Sequence, residues 1–116
     1  PHLRDSWDAF CRTVADFKLA ERGLQVARQR SHDAARGWSR PISFLWIDGS
    51  HDYDDVLRDI ADYAPHVIAG GWIAFDDSTG GEFPGVERAI AEWQASARDF
   101  VRVATIRNMT IFRRTP

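Results

Sequence analysis

Two hydrophobic rhythms alternate along the chain. Trp7, Phe10, Cys11, Val14 and Phe17 recur at helical spacing, which predicts a helix running to about Ala20. Asp5 or Ser6 can cap it, and Gly23 is a natural stop. Leu24 to Arg28 reads as a short strand. Ser31 can cap a brief helix across Asp33 to Trp38, and Ser39-Arg40-Pro41 is a turn. Ile42 to Asp48 is a continuous apolar run ending in a carboxylate, as expected for a buried strand. Tyr53 to Pro65 returns to helical spacing, with Tyr53, Val56, Leu57, Ile60 and Ala64 on one face. Gly70-Gly71 breaks the chain and launches a second buried strand, Trp72 to Asp76. Ser78 to Gly85 is a loop whose Gly80, Gly81, Pro84 and Gly85 suit a mobile cover over a site. Val86 to Ala97 is a helix with Val86, Ile90, Trp93 and Ala97 in line. Strands at Val101 to Ile106 and Met109 to Arg113 follow, joined by a tight hairpin turn at Arg107-Asn108.

That succession predicts an α/β sheet, mainly parallel, with helices on both faces and an antiparallel hairpin at its C-terminal end. A helix separates the strands ending at Asp48 and Asp76, so the two strands should lie side by side and parallel. Asp48, Asp76 and Asp77 then line one rim together with His51. Ligands of open α/β sheets bind outside the carboxyl ends of the strands. Three acids and an imidazole meeting there point to a divalent-cation site with a base beside it.

Composition narrows the classes. The 116 residues suffice for one small domain, and 44% hydrophobic with 28% charged residues is ordinary globular usage. A net charge of −2 gives no footprint for nucleic acid or an anionic membrane. No apolar stretch approaches the ~20 residues of a membrane span. No signal peptide is visible, so a cytoplasmic location is expected, bounded only weakly because the chain starts at Pro1 and not Met. The single cysteine, Cys11, has no internal partner and reads as a small core residue. No G-x-S-x-G elbow points to an acyl hydrolase, and no ligand-spaced cysteines or His-x-x-x-His pair point to zinc.

Each candidate has a plainer reading. Asp48 can be a helix N-cap. Asp76 and Asp77 can form a solvated turn. His51 can act as a base, since an imidazole titrates near ~6.5, or it can cap the helix or contact substrate. Ser31 can simply cap its helix. Asp52, Asp54, Asp55, Asp59 and Asp62 read as a solvated helix face, and His66 as a helix-end or surface residue. Trp72 and Trp93 read as core, as do Trp38 and Trp46 unless they give a site apolar cover. Glu82 sits in the loop, where only its position argues for contact with substrate.

Asp48-Gly49-Ser50-His51-Asp52-Tyr53, then Gly70-Gly71, then Phe75-Asp76-Asp77 and Pro84-Gly85-Val86 form a spaced series. On these motifs the segment from about Gln25 to Phe112 resembles the class I S-adenosylmethionine-dependent methyltransferases, in the branch with an Asp-Gly-x-His signature. The resemblance implies a Rossmann-like sheet of order 3-2-1-4-5-7-6. Leu24 to Arg28 would be its third strand, and the strands ending at Asp48 and Asp76 its fourth and fifth. The first two strands would be missing and Pro1 would fall just after the second, making residues 1–116 the C-terminal part of one methyltransferase domain. No G-x-G-x-x-G loop occurs, so the chain alone should bind cofactor poorly and not turn over. Its open edge predicts self-association into a homo-oligomer.

The resemblance also implies roles. Asp48, Asp76 and Asp77 would hold Mg²⁺ or a similar ion, with His51 and Asp48 catalytic. Ser31, His32 and Asp48 would contact S-adenosylmethionine, Ser31 and His32 on the adenine side. The implied activity is O-methylation of a hydroxyl on a small molecule or sugar. The alternatives are a metal-independent methyltransferase and a non-catalytic methyltransferase-like module.

Overall fold

Ile42–Ile47 (β1) and Val67–Phe75 (β2) run parallel, with Leu45 beside Ile73 and Ile47 beside Phe75. They belong to a four-stranded sheet in this computed structural model, which describes residues 3–116, with side chains from residue 6 onward. The remaining elements are helices α1 (Leu3–Asp16), α2 (Ser31–Ala35), α3 (Tyr53–Tyr63) and α4 (Pro84–Ser96), and strands β3 (Phe100–Ile106) and β4 (Met109–Arg114). The strand order is β1-β2-β4-β3. β4 is antiparallel to both β2 and β3, so β1, β2 and β3 share one direction. The mainly parallel sheet with a C-terminal antiparallel hairpin is therefore present, and its order matches the 4-5-7-6 part of the expected series. The placement of Pro1 lies outside the described residues, and Asp5 lies inside α1, not at its N-cap position. Ser6 lies inside α1.

The core lies between one sheet face and the pair α3 and α4. Val56 and Ile60 of α3 and Val86, Ala89 and Ile90 of α4 are buried against Ile73, Phe75 and Phe112. Trp93 completes this layer, its ring 5.0 Å from Phe112, 5.0 Å from Phe100 and 5.7 Å from Phe75. Strand alternation then sends Phe44, Trp46 and Trp72 to the opposite face, where they are exposed. Trp46 and Trp72 are thus not core residues, and the Arg113 guanidinium covers the Trp72 ring at 5.2 Å. Phe10, Cys11 and Phe17 of the α1 region stay exposed, so Cys11 is not a core residue either. Trp38 is also exposed, its indole N–H bonded to the Arg40 carbonyl.

Leu24 to Arg28 does not form a strand. All five residues are exposed and among the described residues no strand pairs with them, so their backbone groups have no ladder to join. Gly70-Gly71 does not precede β2 but lies within it. Between the pairs Ile42–Val67 and Phe44–Trp72, β1 advances two residues while β2 advances five. The extra residues bulge out, with Gly70 at φ +79. A Cβ on Gly71 would fall 2.8 Å from Val67 Cγ1 and 2.9 Å from the Ile68 carbonyl oxygen. Gly71→Ala is therefore expected to destabilise the fold by about 1–3 kcal/mol, as overpacking does. Gly37→Ala, whose Cβ would meet nothing within 4 Å, should change stability by less than about 0.5 kcal/mol. Chemical denaturation of the two variants checks this.

Candidate active site

β1 and β2 end level with each other, and the chain leaves both as acid. Asp48 follows Ile47, and Asp76-Asp77 follow Phe75. The ladder continues one step past β2, because the Asp76 N–H donates to the Ile47 carbonyl at 3.1 Å. One carboxylate oxygen from each of Asp48, Asp76 and Asp77 lies within 4.8 Å of the others. Ligand oxygens opposite one another stand about 4.2 Å apart across Mg²⁺ and about 4.8 Å across Ca²⁺, given metal–oxygen distances near 2.1 and 2.4 Å. The donor set, all hard oxygen, and its spacing fit one such cation. Helix α3 starts only at Tyr53 with Asp52 at its N-cap position, so Asp48 does not cap it.

His51 joins this rim. Its Nε2 is 3.0 Å from Asp77 Oδ2. An ionised carboxylate only accepts, so Nε2 carries the hydrogen and the neutral ring keeps its lone pair on Nδ1. The ring stacks on Phe83 with centroids 3.6 Å apart and planes 20° from parallel. Phe83 directly precedes α4, and Gly85 lets that helix approach, since a Cβ there would lie 2.9 Å from the His51 carbonyl oxygen. The far oxygen of Asp77, Oδ1, accepts from Asn108 Nδ2 at 3.0 Å. Neither Phe83 nor Asn108 was legible as a site residue, because the loop and the hairpin turn reach the rim only through tertiary packing. Glu82 is exposed.

Beside Asp48 lies a cavity of about 720 Å³, bordered by Ser31, His32, Trp46, Arg58 and Asp59. Ser31 and His32 border it while also bonded to α3. The Ser31 hydroxyl donates to Asp59 Oδ1, His32 Nδ1 is 2.9 Å from Asp62 Oδ2, and the Tyr63 hydroxyl donates to the Ser31 carbonyl at 2.6 Å. Ser31 is no cap, since that position of α2 belongs to Arg30. Asp59 and Asp62, read as solvated, instead tie α2 to α3, and Asp59 lines the cavity.

Comparisons with known proteins identify the family and the fold. Residues 2–78 match the model of a methyltransferase domain family, a span that includes all three acids and His51, and the chain belongs to that family. The O-methyltransferase NovP superposes with a TM-score of 0.56 at 22% identity, over 66% of this chain and 31% of NovP. The MycE methyltransferase of the mycinamycin biosynthetic pathway, solved with Mg and SAH, superposes with a TM-score of 0.58 at 16% identity, over 79% of this chain and 33% of MycE. At these identities the two structures establish a shared fold. An uncharacterized protein, R132 of Acanthamoeba polyphaga mimivirus, is 37% identical over 59 residues, 47% of this chain and 27% of that protein. The chain thus spans about a third or less of these relatives. No helix among the described residues is long and apolar enough to cross a membrane.

Two phenols near the site have raised pKa values. Tyr53 is held above 10.0 chiefly by its hydrogen bond to Glu92, and Tyr63 chiefly by burial, with Asp62 and Asp59 adding repulsion. Unfolding would release each proton more easily, so stability present below pH 10.0 should fall as pH rises through the folded values. In an ultraviolet titration both tyrosines should ionise above 10.0. Glu92→Gln should bring Tyr53 down and leave Tyr63 in place.

Proposed function

We propose that this chain carries the metal-and-base half of an S-adenosylmethionine-dependent O-methyltransferase acting on a hydroxyl of a small molecule or sugar. One observation carries the reading. Asp48, Asp76 and Asp77 converge at the carboxyl rim of the sheet with His51 hydrogen-bonded to one of them. Family membership and the fold shared with NovP and MycE support methyl transfer, and the Mg and SAH bound in MycE support the cofactor and a cation.

Asp48, Asp76 and Asp77 would hold Mg²⁺ or a similar ion, which supplies Lewis acidity and a template for substrate oxygens. His51 takes the hydroxyl proton at Nδ1. Its Nε2–H bond to Asp77 steadies the positive charge that forms, and Phe83 fixes the ring plane. The cavity beside Asp48 would take the adenosine end of the cofactor, with α2 as its wall. Asp48 then sits between cofactor and cation, and the methyl group is aligned with the oxygen by position alone. With no G-x-G-x-x-G loop in the sequence, these residues by themselves should bind cofactor weakly. Metal-independent transfer is the second reading, favoured by the two hydrogen bonds that Asp77 already accepts.

The test is calorimetric titration of S-adenosylmethionine and S-adenosylhomocysteine into the natural protein at its full length, with and without Mg²⁺. Cofactor binding together with transfer that Mg²⁺ restores after chelation, and that Asp76→Ala abolishes, is expected. His51→Ala should lower turnover by about 10²–10⁴-fold, the usual worth of a general base. Transfer indifferent to chelation would favour the second reading. No cofactor binding at all would leave a non-catalytic module.

A further inference from the structure

We propose that Asn108 is a positioning residue of the cation site, holding the Asp77 carboxylate in its ligating orientation. The inference rests on the metal-assisted reading above. Asp77 departs from β2 with φ 51, in the left-handed region, so its side chain leaves the strand on an unusual path. Two donors then fix it. His51 Nε2 reaches Oδ2 from the β1 side, and Asn108 Nδ2 reaches Oδ1 from the β4 side, each at 3.0 Å. Each oxygen keeps a second lone pair for a cation. A carboxylate gripped at both oxygens cannot swing away from Asp48 and Asp76, so little ordering remains to be done when an ion arrives.

Asn108 is itself held in place. It follows Arg107 in the two-residue turn between β3 and β4. Arg107 has φ 56, a sign that such turns normally assign to glycine, asparagine or aspartate. Bonds to the acid loop offset that strain. The Ser78 N–H and hydroxyl donate to the Asn108 carbonyl at 2.8 and 3.2 Å, and the Thr79 hydroxyl donates to the Arg107 carbonyl at 2.9 Å. Ser78 is buried, and its hydroxyl also lies 2.7 Å from that of Thr110, itself buried. The hairpin turn and the acid loop are therefore one unit, with the Asn108 amide as its contact with the metal-ligating carboxylate.

Asn108→Ala isolates that contact, because every bond to the Asn108 carbonyl survives. The experiment measures Mn²⁺ affinity by calorimetry, S-adenosylhomocysteine affinity and thermal midpoint for the full-length natural protein and the variant. The expected result is Mn²⁺ binding weakened about 10–100-fold, the usual cost of losing a hydrogen bond to a metal ligand, with cofactor affinity and thermal midpoint unchanged. Asn108→Asp, which keeps the shape and loses the donor, should weaken Mn²⁺ binding too. Unchanged Mn²⁺ affinity in both variants overturns the inference and leaves the metal-assisted reading intact. Parallel loss of midpoint and both affinities overturns it as well, by showing a structural role only. If the unsubstituted protein binds no Mn²⁺, the metal-assisted reading and this inference fall together.

Discussion

The parallel register between β1 and β2 is the constraint on which the site depends. Ile47 stands beside Phe75, so the next residue of each strand is an acid at the same height on the rim. Strand side chains alternate with period two, and a slip of one residue would send Asp76 to the other face. What holds the register is the bulge at Gly70-Gly71. Ile42 and Ile47 are both buried although they stand an odd number of residues apart, which strict alternation forbids. The irregularity between Ile42 and Phe44 resets the phase, so both isoleucines reach the core while the acids stay level. Gly71 permits this because a side chain there would collide with Val67 and the Ile68 carbonyl.

A second lock comes from the far end of the chain. β4 inserts between β2 and β3, placing Thr110 opposite Phe75. The turn before β4 then lies directly over Ser78 and Asp77. A buried hydroxyl pair is stable only when both members are satisfied, and Ser78 and Thr110 satisfy each other and the backbone. The reversed last strand thus does more than close the sheet. It delivers an amide donor to a rim that β1 and β2 alone could not complete.

Much of this was legible because it follows from local pattern. The apolar runs ending at Asp48 and Asp76, the helical spacing of Val56 and Ile60, and that of Val86, Ile90 and Trp93 each fix an element without reference to the rest. The readings that failed were those needing a partner. Leu24 to Arg28 has strand-like residues but no neighbour to pair with. Cys11 and Phe10 have helical spacing, but both stay exposed. Trp72 is apolar, yet Ile73 and Phe75 already point to the helices, so alternation turns it outward. Ser31 and His32 border the cavity as expected, and what was missed there is their pairing with Asp59 and Asp62. That pairing depends on the angle between α2 and α3, which no spacing in the sequence encodes.

The acids themselves are hard to explain as structure. None of the three caps α3, whose N-cap position is Asp52. Among the described residues none pairs with lysine or arginine, and their one ion-pair partner is His51. Two like charges about 4 Å apart repel by roughly 1 kcal/mol in water and several times that near a protein surface. A solvated turn would let its carboxylates spread into water. Here Asp77 is gripped at both oxygens and Asp76 is half-buried, while Asp48 is exposed. On the metal-assisted reading proposed above, the grip on Asp77 lowers the ordering needed to bind a cation.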